Sequence, residues 1–222
     1  MSFATDLYHA HYIQECPVPA SASTKAKRAP AQGEHSAREK VFATARDLFY
    51  REGFRAVGVD TVVAASGVAK TTLYRWFPTK DDLVLAVLDS RDEEFWAQWE
   101  ATAERHMGHP REELLGQIKW ISRYIGGEAS RGCAFLNAAA EFPDPAHAVR
   151  DKVARNKQKL RRRLLALCMA AGAEDAALLA DQLVLMIDGA FAGSEALGKN
   201  GPAKALQRAA QAAMDAALPH KQ

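Results

Sequence analysis

Residues 66–83 read SGVAKTTLYRWFPTKDDL, and this stretch decides the fold that we expect for the chain. It places the cations Lys70, Arg75 and Lys80 and several hydroxyl groups ahead of its first acid. The Ser-Gly pair predicts a tight turn, and the residues after it predict a short helix that ends at Pro78. Two short helices joined by such a turn form a helix-turn-helix, whose second helix enters the major groove of DNA.

The side chains of the second short helix suit contact with DNA. Lys70 and Arg75 can reach guanine acceptors or phosphates, and the guanidinium of Arg75 offers a planar fork. Thr71 and Thr72 are short donors that allow close approach, and Tyr74 adds a hydroxyl group. An ordinary solvated helical hairpin can have the same composition, so composition alone leaves both interpretations open.

The residues around this helix predict how it is held. Leu73 and Phe77 lie on its other side and are expected to anchor it in a small core. Pro78 ends the helix, and Thr79 is of a type that often caps the start of the next one. Lys80 opens that next helix, where exposed amide N–H groups together with a cation favour a phosphate.

Hydrophobic periodicity predicts helices along the rest of the chain, and we find no alternating strand pattern and no internal repeat. The first helix is expected to begin at Ser36, with Ser36 and Glu39 as a capping box and Gly53 as its stop. The other predicted helices cover approximately residues 60–65, 70–76, 80–104, 111–125, 133–142, 146–171, 174–197 and 203–218. The chain is therefore predicted to be all-α.

Composition narrows the class of protein. The 222 residues are 48% hydrophobic and carry a net charge of +2, so any basic surface has to be local. The longest apolar run, around residues 164–173, is too short for a membrane span, and the N-terminus lacks the pattern of a signal peptide. The three cysteines lie far apart, which favours reduced thiols, and Cys133 is either a small buried residue or a redox sensor. We therefore expect a cytoplasmic protein.

Residues 36–85 resemble the DNA-binding domain of the tetracycline-repressor (TetR) family of bacterial regulators. The resemblance rests on REGFRAVGVDTV at 51–62 and AASGVAKTTLYRWFPTKDDL at 64–83. It implies an N-terminal three-helix helix-turn-helix domain, a long linking helix, and a C-terminal helical domain that binds a ligand and dimerises. Ala69 departs from the family, because many relatives have serine there. The resemblance implies DNA contacts by Thr61, Lys70, Thr71, Thr72, Tyr74, Arg75 and Lys80.

On this basis we divide the chain into three parts. Residues 1–35 are rich in Pro, Ser and Ala and include a basic cluster, so we expect a disordered arm that either touches DNA or is simply solvated. Residues 36–82 form the predicted helix-turn-helix domain. Residues 83–218 form the predicted effector-binding and dimerisation domain.

Aromatic and polar side chains on several helices predict a small-molecule site in the C-terminal part. Such sites are mostly apolar with a few polar groups, and Asn137 and Glu141 share one face of a short helix. Each aromatic side chain taken singly fits core packing better, so this prediction rests mainly on the resemblance. The candidate ligand-binding residues are Trp96, Trp99, Trp120, Tyr124, Phe135, Asn137, Glu141, Phe142, Met186 and Phe191.

The last two predicted helices, within residues 174–218, are apolar around more of their surface than one buried side requires. We expect them to pair with a second copy as a four-helix bundle, in which Ala190, Gly193, Ala210 and Ala213 allow close approach. Such a homodimer would read a palindromic operator in double-stranded DNA, with half-sites about 34–36 Å apart. An effector would change the separation of the two DNA-binding domains through the long linking helix.

A second basic run lies between Lys152 and Arg163. Its cations surround an apolar stripe, so we predict a solvated helix face rather than a second DNA site.

The resemblance implies a sequence-specific transcription regulator, most commonly a repressor that a small, largely apolar effector releases from its operator, and activation stays open. Two other classes of function compete with this interpretation. An enzyme is disfavoured because the chain has no metalloprotease, nucleophile-elbow, phosphate-loop or dinucleotide motif, and neither a cofactor nor a metal is predicted. A DNA-binding dimer without any effector remains the other alternative.

Overall fold

The computed structural model describes residues 32–127, 131–198 and 201–219, with only the backbone described for residues 32–35. Of the arm predicted at residues 1–35, residues 1–31 lie outside this part of the chain. The described residues form nine helices and no strand, which confirms the all-α prediction. The helices are α1 Gln32–Glu52, α2 Val59–Ser66, α3 Lys70–Trp76, α4 Lys80–Arg105, α5 Pro110–Ile125, α6 Ala134–Glu141, α7 Ala148–Ala170, α8 Ala176–Leu197 and α9 Pro202–Ala217.

The start of α1 differs from the prediction. The helix begins at Gln32, so residues 32–35 are helical and Ser36 lies inside the helix rather than at its cap. The capping box predicted for Ser36 and Glu39 is therefore wrong. The start was predicted from the capping pattern at Ser36, because the polar residues before it carry no hydrophobic periodicity.

The turns of the N-terminal helices follow local chemistry. Gly53 and Gly67 have φ values of 103° and 66°, a left-handed region in which a side chain is strained, and they end α1 and α2. Thr79 caps α4 as predicted. Its Oγ1 accepts from the Asp82 N–H at 3.1 Å, and the Asp82 carboxylate accepts from the Thr79 N–H at 2.9 Å.

The buried residues form two hydrophobic cores. The N-terminal core joins α1, α2 and α3 to the first turns of α4, to α6 and to the start of α7. Leu73 and Phe77 are buried in it, which confirms their predicted role as anchors of α3. The C-terminal core joins the second half of α4 to α5, α7, α8 and α9. Helix α4 contributes to both cores and so connects them.

The division between the two cores does not follow the boundary that we predicted after residue 82. Leu83 and Leu88 of α4 lie in the N-terminal core, and so do Phe135 and Phe142 at the two ends of α6. Helix α6 therefore packs with the helix-turn-helix, although about fifty residues of sequence separate them.

Helices α8 and α9 pack closely against each other within one chain. A Cβ atom on Gly193 would stand 2.6 Å from Cγ of Pro202, so only glycine fits where α8 meets the start of α9. Ala190 and Ala210 are buried in the C-terminal core. Ala190, Gly193 and Ala210 thus serve packing inside the subunit, contrary to the intersubunit role that we predicted for them, whereas the same prediction for Ala213 stays untested.

A different face of α8 is left uncovered. Leu178, Leu185 and Leu197 are 55%, 73% and 74% exposed. By length and composition alone, this helix could cross a membrane, since 18 of its residues have a mean hydropathy of 1.5. Our expectation that no segment reaches that length is therefore wrong. Its buried residues belong to the C-terminal core, and its Asp188 binds Lys157 of α7 at 2.5 Å.

Candidate DNA interface and effector region

The start of α3 presents most of the predicted DNA-contacting side chains to solvent. Lys70, Thr71, Tyr74 and Arg75 are exposed, whereas Thr72 is half-buried. This arrangement follows from helical geometry, because the buried Leu73 fixes which side of the helix faces the core. Thr61, in the first turn of α2, is exposed as well.

Lys70 has an acidic partner that the sequence analysis missed. Its Nζ lies 2.7 Å from Oδ1 of Asp60 in the first turn of α2. The hydrogen bond and the negative charge of Asp60 raise the pKa of Lys70. Both side chains are well exposed, so the pair is screened by solvent and remains open to exchange with another anion. The position of Asp60 in the first turn of α2, beside Thr61, is the sequence signal that could have identified it.

Arg75 follows on the same short helix. Its guanidinium carbon lies 5.6 Å from the ring centre of Trp76, a cation–π contact with the neighbouring residue. Residues 66–80 contain no acid of their own. The first acid after them in the sequence is Asp81.

Lys80 is placed differently from the other predicted contacts. Its Nζ donates to the carbonyl oxygen of Arg55 at 3.2 Å and lies 6.0 Å from the ring centre of Phe49. Partial burial lowers the pKa of Lys80. Its side chain therefore packs at the corner between α1 and α2, which a prediction based on the start of α4 alone did not foresee.

The candidate effector residues divide between the two cores. Trp96, Trp99, Trp120 and Phe191 are buried in the C-terminal core, and Met186 packs against it. Tyr124 is partly exposed, with ring centres 6.5 Å from Trp120 and 6.2 Å from Phe191.

Phe95 lies among these rings and was missing from the predicted site. Its ring centre is 5.0 Å from that of Trp120 and 5.2 Å from that of Trp96. It stands next to Trp96 in the sequence, so its helical position alone gave no reason to expect it on the same side.

The other candidates lie with the N-terminal core and not with the tryptophans. Phe142 packs against Phe54 at 6.5 Å, and Phe135 is buried in the same core. Glu141 accepts a hydrogen bond from the Arg55 N–H at 2.7 Å. The ten predicted residues therefore do not line a single cavity, because α6 turns one of its faces to the helix-turn-helix.

Asn137, on the same helix, is used locally. Its Nδ2 donates to the carbonyl oxygen of Arg131 at 3.0 Å, just before α6 begins. Asn137 and Glu141 do share a helix, but their polar groups contact different segments of the chain.

The tryptophans differ in how their indole N–H groups are satisfied. Trp96 donates to Asp92 at 2.7 Å, and Trp120 donates to Gln117 at 2.6 Å. Trp99 is fully buried, and its Nε1 has no hydrogen-bond partner. An unsatisfied buried donor costs about 1–3 kcal/mol, so an acceptor placed beside Trp99 would be favoured.

Two open cavities lie elsewhere on the surface. One of about 320 Å³ lies between α1 and α4 and is lined by Phe42, Arg46 and Arg91. Another of about 520 Å³ lies between α5 and α9 and is lined by Leu115 and Gln211. Neither is lined by a predicted effector residue.

The second basic run, on α7, is paired with acids. Lys152 binds Asp89 at 2.8 Å and Asp92 at 3.0 Å. The side chains of Lys152, Lys157 and Arg163 are only 15%, 21% and 19% exposed. The prediction of a solvated face is wrong for these three residues, whose partners lie on α4 and α8.

The two cysteines in the described part of the chain are free thiols. Burial raises the pKa of Cys168 to about 12, so this residue is an inert part of the C-terminal core. Cys133 is half-buried, with Lys157 Nζ 3.8 Å from its sulfur. Among the described residues, no group of three or more His, Cys, Asp or Glu side chains could hold a metal ion.

Two family profiles match the chain. Residues 41–87 match bacterial regulatory proteins of the tetR family. Residues 117–213 match the tetracyclin repressor-like C-terminal domain. The two matched segments lie on either side of the second half of α4.

Two solved structures resemble the whole fold. A TetR-family transcriptional regulator from Streptomyces coelicolor is 33% identical, with a TM-score of 0.79, over 84% of this chain and 97% of the other. A putative TetR transcriptional regulator from Streptomyces avermitilis is 29% identical, with a TM-score of 0.69, over 82% of this chain and 97% of the other.

Curated relatives match over shorter stretches. The regulator QacR of Staphylococcus aureus is 31% identical over 62 residues, which are 28% of this chain and 33% of QacR. The transcriptional repressor NemR of Escherichia coli is 24% identical over 112 residues, which are 50% of this chain and 56% of NemR. The chain thus spans about a third of QacR and just over half of NemR.

Proposed function

The chain belongs to the TetR family of bacterial DNA-binding transcriptional regulators, and we propose that it is a homodimeric repressor that a small, largely apolar effector releases from a palindromic operator. The observation that carries the proposal is the exposed face of α3, where cations and hydroxyl groups stand over the buried anchors Leu73 and Phe77. Because the members of this family are transcription regulators, a catalytic role for this chain is also disfavoured.

We propose that α3 lies in the major groove and that its first residues meet base edges and phosphates. Lys70 and Arg75 supply charge, and exchange of Asp60 for a phosphate would free the Lys70 ammonium for DNA. Lys80 is the weakest candidate, because its Nζ already binds Arg55. The proposed contacts are Thr61, Lys70, Thr71, Thr72, Tyr74 and Arg75, with Lys80 able to contribute from the corner.

Selection from a random duplex library by the full chain tests this proposal. We expect a palindrome to be enriched and Lys70→Ala and Tyr74→Ala each to weaken binding to it without changing the melting temperature. Loss of the Lys70 cation is also expected to lower the slope of log affinity against log salt by about one unit. The site assignment fails if both variants bind like the wild type.

Dimerisation is supported by the uncovered face of α8. Leu178, Leu185 and Leu197 are exposed, and exposed alanines lie along α9. Leu178 and Leu185, seven residues apart, lie on one side of α8, and a twofold copy would cover this side together with α9. Leu185→Glu is expected to yield a folded monomer in sedimentation experiments and to lose operator binding. A wild-type monomer would reject this part of the proposal.

The effector is supported by the ring cluster of the C-terminal core and by the unsatisfied Nε1 of Trp99. An apolar molecule with one hydrogen-bond acceptor would match both features. Thermal-shift screening of apolar metabolites tests this, and Trp99→Phe should lose the shift that such a compound produces. If no compound changes both melting temperature and operator affinity, the alternative of a DNA-binding dimer without an effector is favoured.

A further inference from the structure

The corner between α1 and α2 is held by residues from outside the helix-turn-helix. The N–H of Arg55 donates to Glu141 Oε2 at 2.7 Å, and the carbonyl oxygen of Arg55 accepts from Lys80 Nζ at 3.2 Å. Both backbone polar groups of one corner residue are therefore bonded by side chains of α6 and α4. The side chain of Arg55 also contacts α6, because its Nη1 donates to the carbonyl oxygen of Glu141 at 3.4 Å.

The backbone of the corner is shaped for this approach. A Cβ atom on Gly53 would stand 3.2 Å from Oε1 of Glu141, tighter than ordinary van der Waals contact. The φ of Gly53 is also 103°, so two independent reasons call for glycine here. The carboxylate of Glu141 is thus seated directly over the end of α1.

A second attachment lies at the last turn of α1. The Tyr50 hydroxyl accepts from the Arg131 N–H at 2.6 Å and donates to the carbonyl oxygen of Gly132 at 3.1 Å. The Nη1 of Arg131 donates to the carbonyl oxygen of Tyr50 at 2.9 Å. We call these bonds of Tyr50 and Arg55 to residues 131–141 the α6 contact.

The α6 contact changes how the DNA-binding helices are connected to the rest of the molecule. Helix α4 follows α3 after a turn at residues 77–79 and also packs on α1, where Arg46 Nη1 lies 2.5 Å from Glu94 Oε1. The α6 contact holds the C-terminal end of α1 at a further place, from a segment that is remote in sequence from α4. The orientation of α1–α3 therefore depends on α6 as well as on α4.

We propose that Tyr50 and Glu141 are positioning residues for operator binding: they hold α1–α3 in the orientation that reads DNA, although neither touches DNA. This inference rests on the proposed operator binding. Movement of α6 would then reach the DNA-binding helices directly through Glu141, and not only along α4. Asn137, which ties the start of α6 to Arg131, places both attachments on one short segment.

The test uses the full chain and the palindrome selected by the wild type. Tyr50→Phe removes the hydroxyl and keeps the ring, and Glu141→Ala removes the acceptor, whereas Glu141→Gln keeps an acceptor oxygen. Each of the first two variants is expected to weaken binding about 5-fold, the size of one ordinary hydrogen bond, with Glu141→Gln close to the wild type. Glu93→Ala, at an exposed carboxylate of α4, is the charge-matched control.

The salt slope separates positioning from contact. Because no phosphate contact is removed, the slope is expected to stay unchanged in Tyr50→Phe and Glu141→Ala, whereas it falls by about one unit in Lys70→Ala. A lowered slope in the positioning variants, or affinities equal to the wild type, would overturn the inference while leaving the proposed function intact.

Amide hydrogen exchange tests the α6 contact even if no operator is found. Glu141→Ala is expected to speed exchange at Arg55 while the melting temperature stays near that of the control variant. If the wild type enriches no DNA sequence, the proposed function fails. In that case, unchanged exchange at Arg55 rejects the α6 contact as a restraint, and faster exchange supports it.

Discussion

Two basic stretches of this chain differ in how the fold uses their cations. Residues 66–80 and residues 152–163 are both rich in Lys and Arg. On α7, Lys152 binds Asp89 and Asp92 of α4, and Lys157 binds Asp188 of α8. Arg155, in contrast, pairs with Asp151 of α7 itself. On α3 the acidic partner of Lys70 is Asp60, an exposed side chain of the same helix-turn-helix.

The number of cations in a stretch of sequence therefore does not by itself identify a DNA-binding surface. A cation whose charge is matched by a partly buried carboxylate contributes little to the field outside the protein and holds helices together instead. A cation on an exposed face keeps its ability to replace counterions on DNA. The comparison can be tested with substitutions of equal charge on the two helices.

Charge reversal is expected to have the largest effect. Arg75→Glu on α3 should lower operator affinity about 100-fold, since it removes a cation and adds repulsion at a phosphate-facing surface. Arg155→Glu on α7 makes the same change in net charge at an exposed residue and should alter affinity less than about 2-fold. Electrophoretic mobility or anisotropy titrations measure both. Equal losses would mean that α7 contributes to the DNA surface.

Removal of Asp92, the partly buried partner of Lys152 on α7, should act on stability instead. Asp92 accepts from Trp96, Asn156 and Lys152, so Asp92→Ala leaves the donors of Trp96 and Asn156 without this acceptor, whereas Lys152 keeps Asp89. We expect a loss of about 2 kcal/mol in the free energy of unfolding by urea. Asp151→Ala breaks an exposed pair on the same helix and should cost less than about 0.5 kcal/mol. A cost as small for Asp92→Ala would show that the buried pairs do not hold α4 to α7.

The same carboxylate makes stability depend on pH. Burial alone would raise the pKa of Asp92, but the hydrogen bonds from Lys152, Asn156 and Trp96 outweigh it and the pKa is lowered. The contribution of Asp92 is therefore complete above the unfolded pKa of about 3.9 and is lost as the pH falls through the lower folded value. Asp92→Asn should reduce the acid-dependent loss of unfolding free energy below about pH 4. If the unfolding free energy of Asp92→Asn falls with pH below about pH 4 as steeply as that of the wild type, this prediction is wrong.

We expect the smallest effect on operator affinity from a change at Asp60, the acid that pairs with Lys70. Asp60→Asn removes the partner of Lys70 and one negative charge near DNA, so operator affinity should rise about 3-fold, in keeping with an exposed ion pair. Non-specific DNA binding is expected to rise by the same factor, which competition with random duplex measures. Weaker operator binding would instead indicate that Asp60 itself accepts from a base such as cytosine.

Local patterns predicted the helices well because their causes are local. Hydrophobic periodicity, the stop at Gly53 and the cap at Thr79 act within a few residues, and the structure has helices at all nine predicted places. The start of α1 was the exception, since a polar first turn leaves no periodic signal. The face of α3 could also be predicted, because burial of Leu73 sets the direction of its neighbours.

The sequence by itself determined the all-α class, the helix-turn-helix and the residues that α3 exposes. Only the tertiary structure decided that Glu141 lies over Gly53, that the α7 cations meet acids on other helices, and that Gly193 serves packing within the subunit. The reason is range: helix formation depends on residues within a few positions of each other, whereas these contacts join residues brought together only when the two cores close around α4.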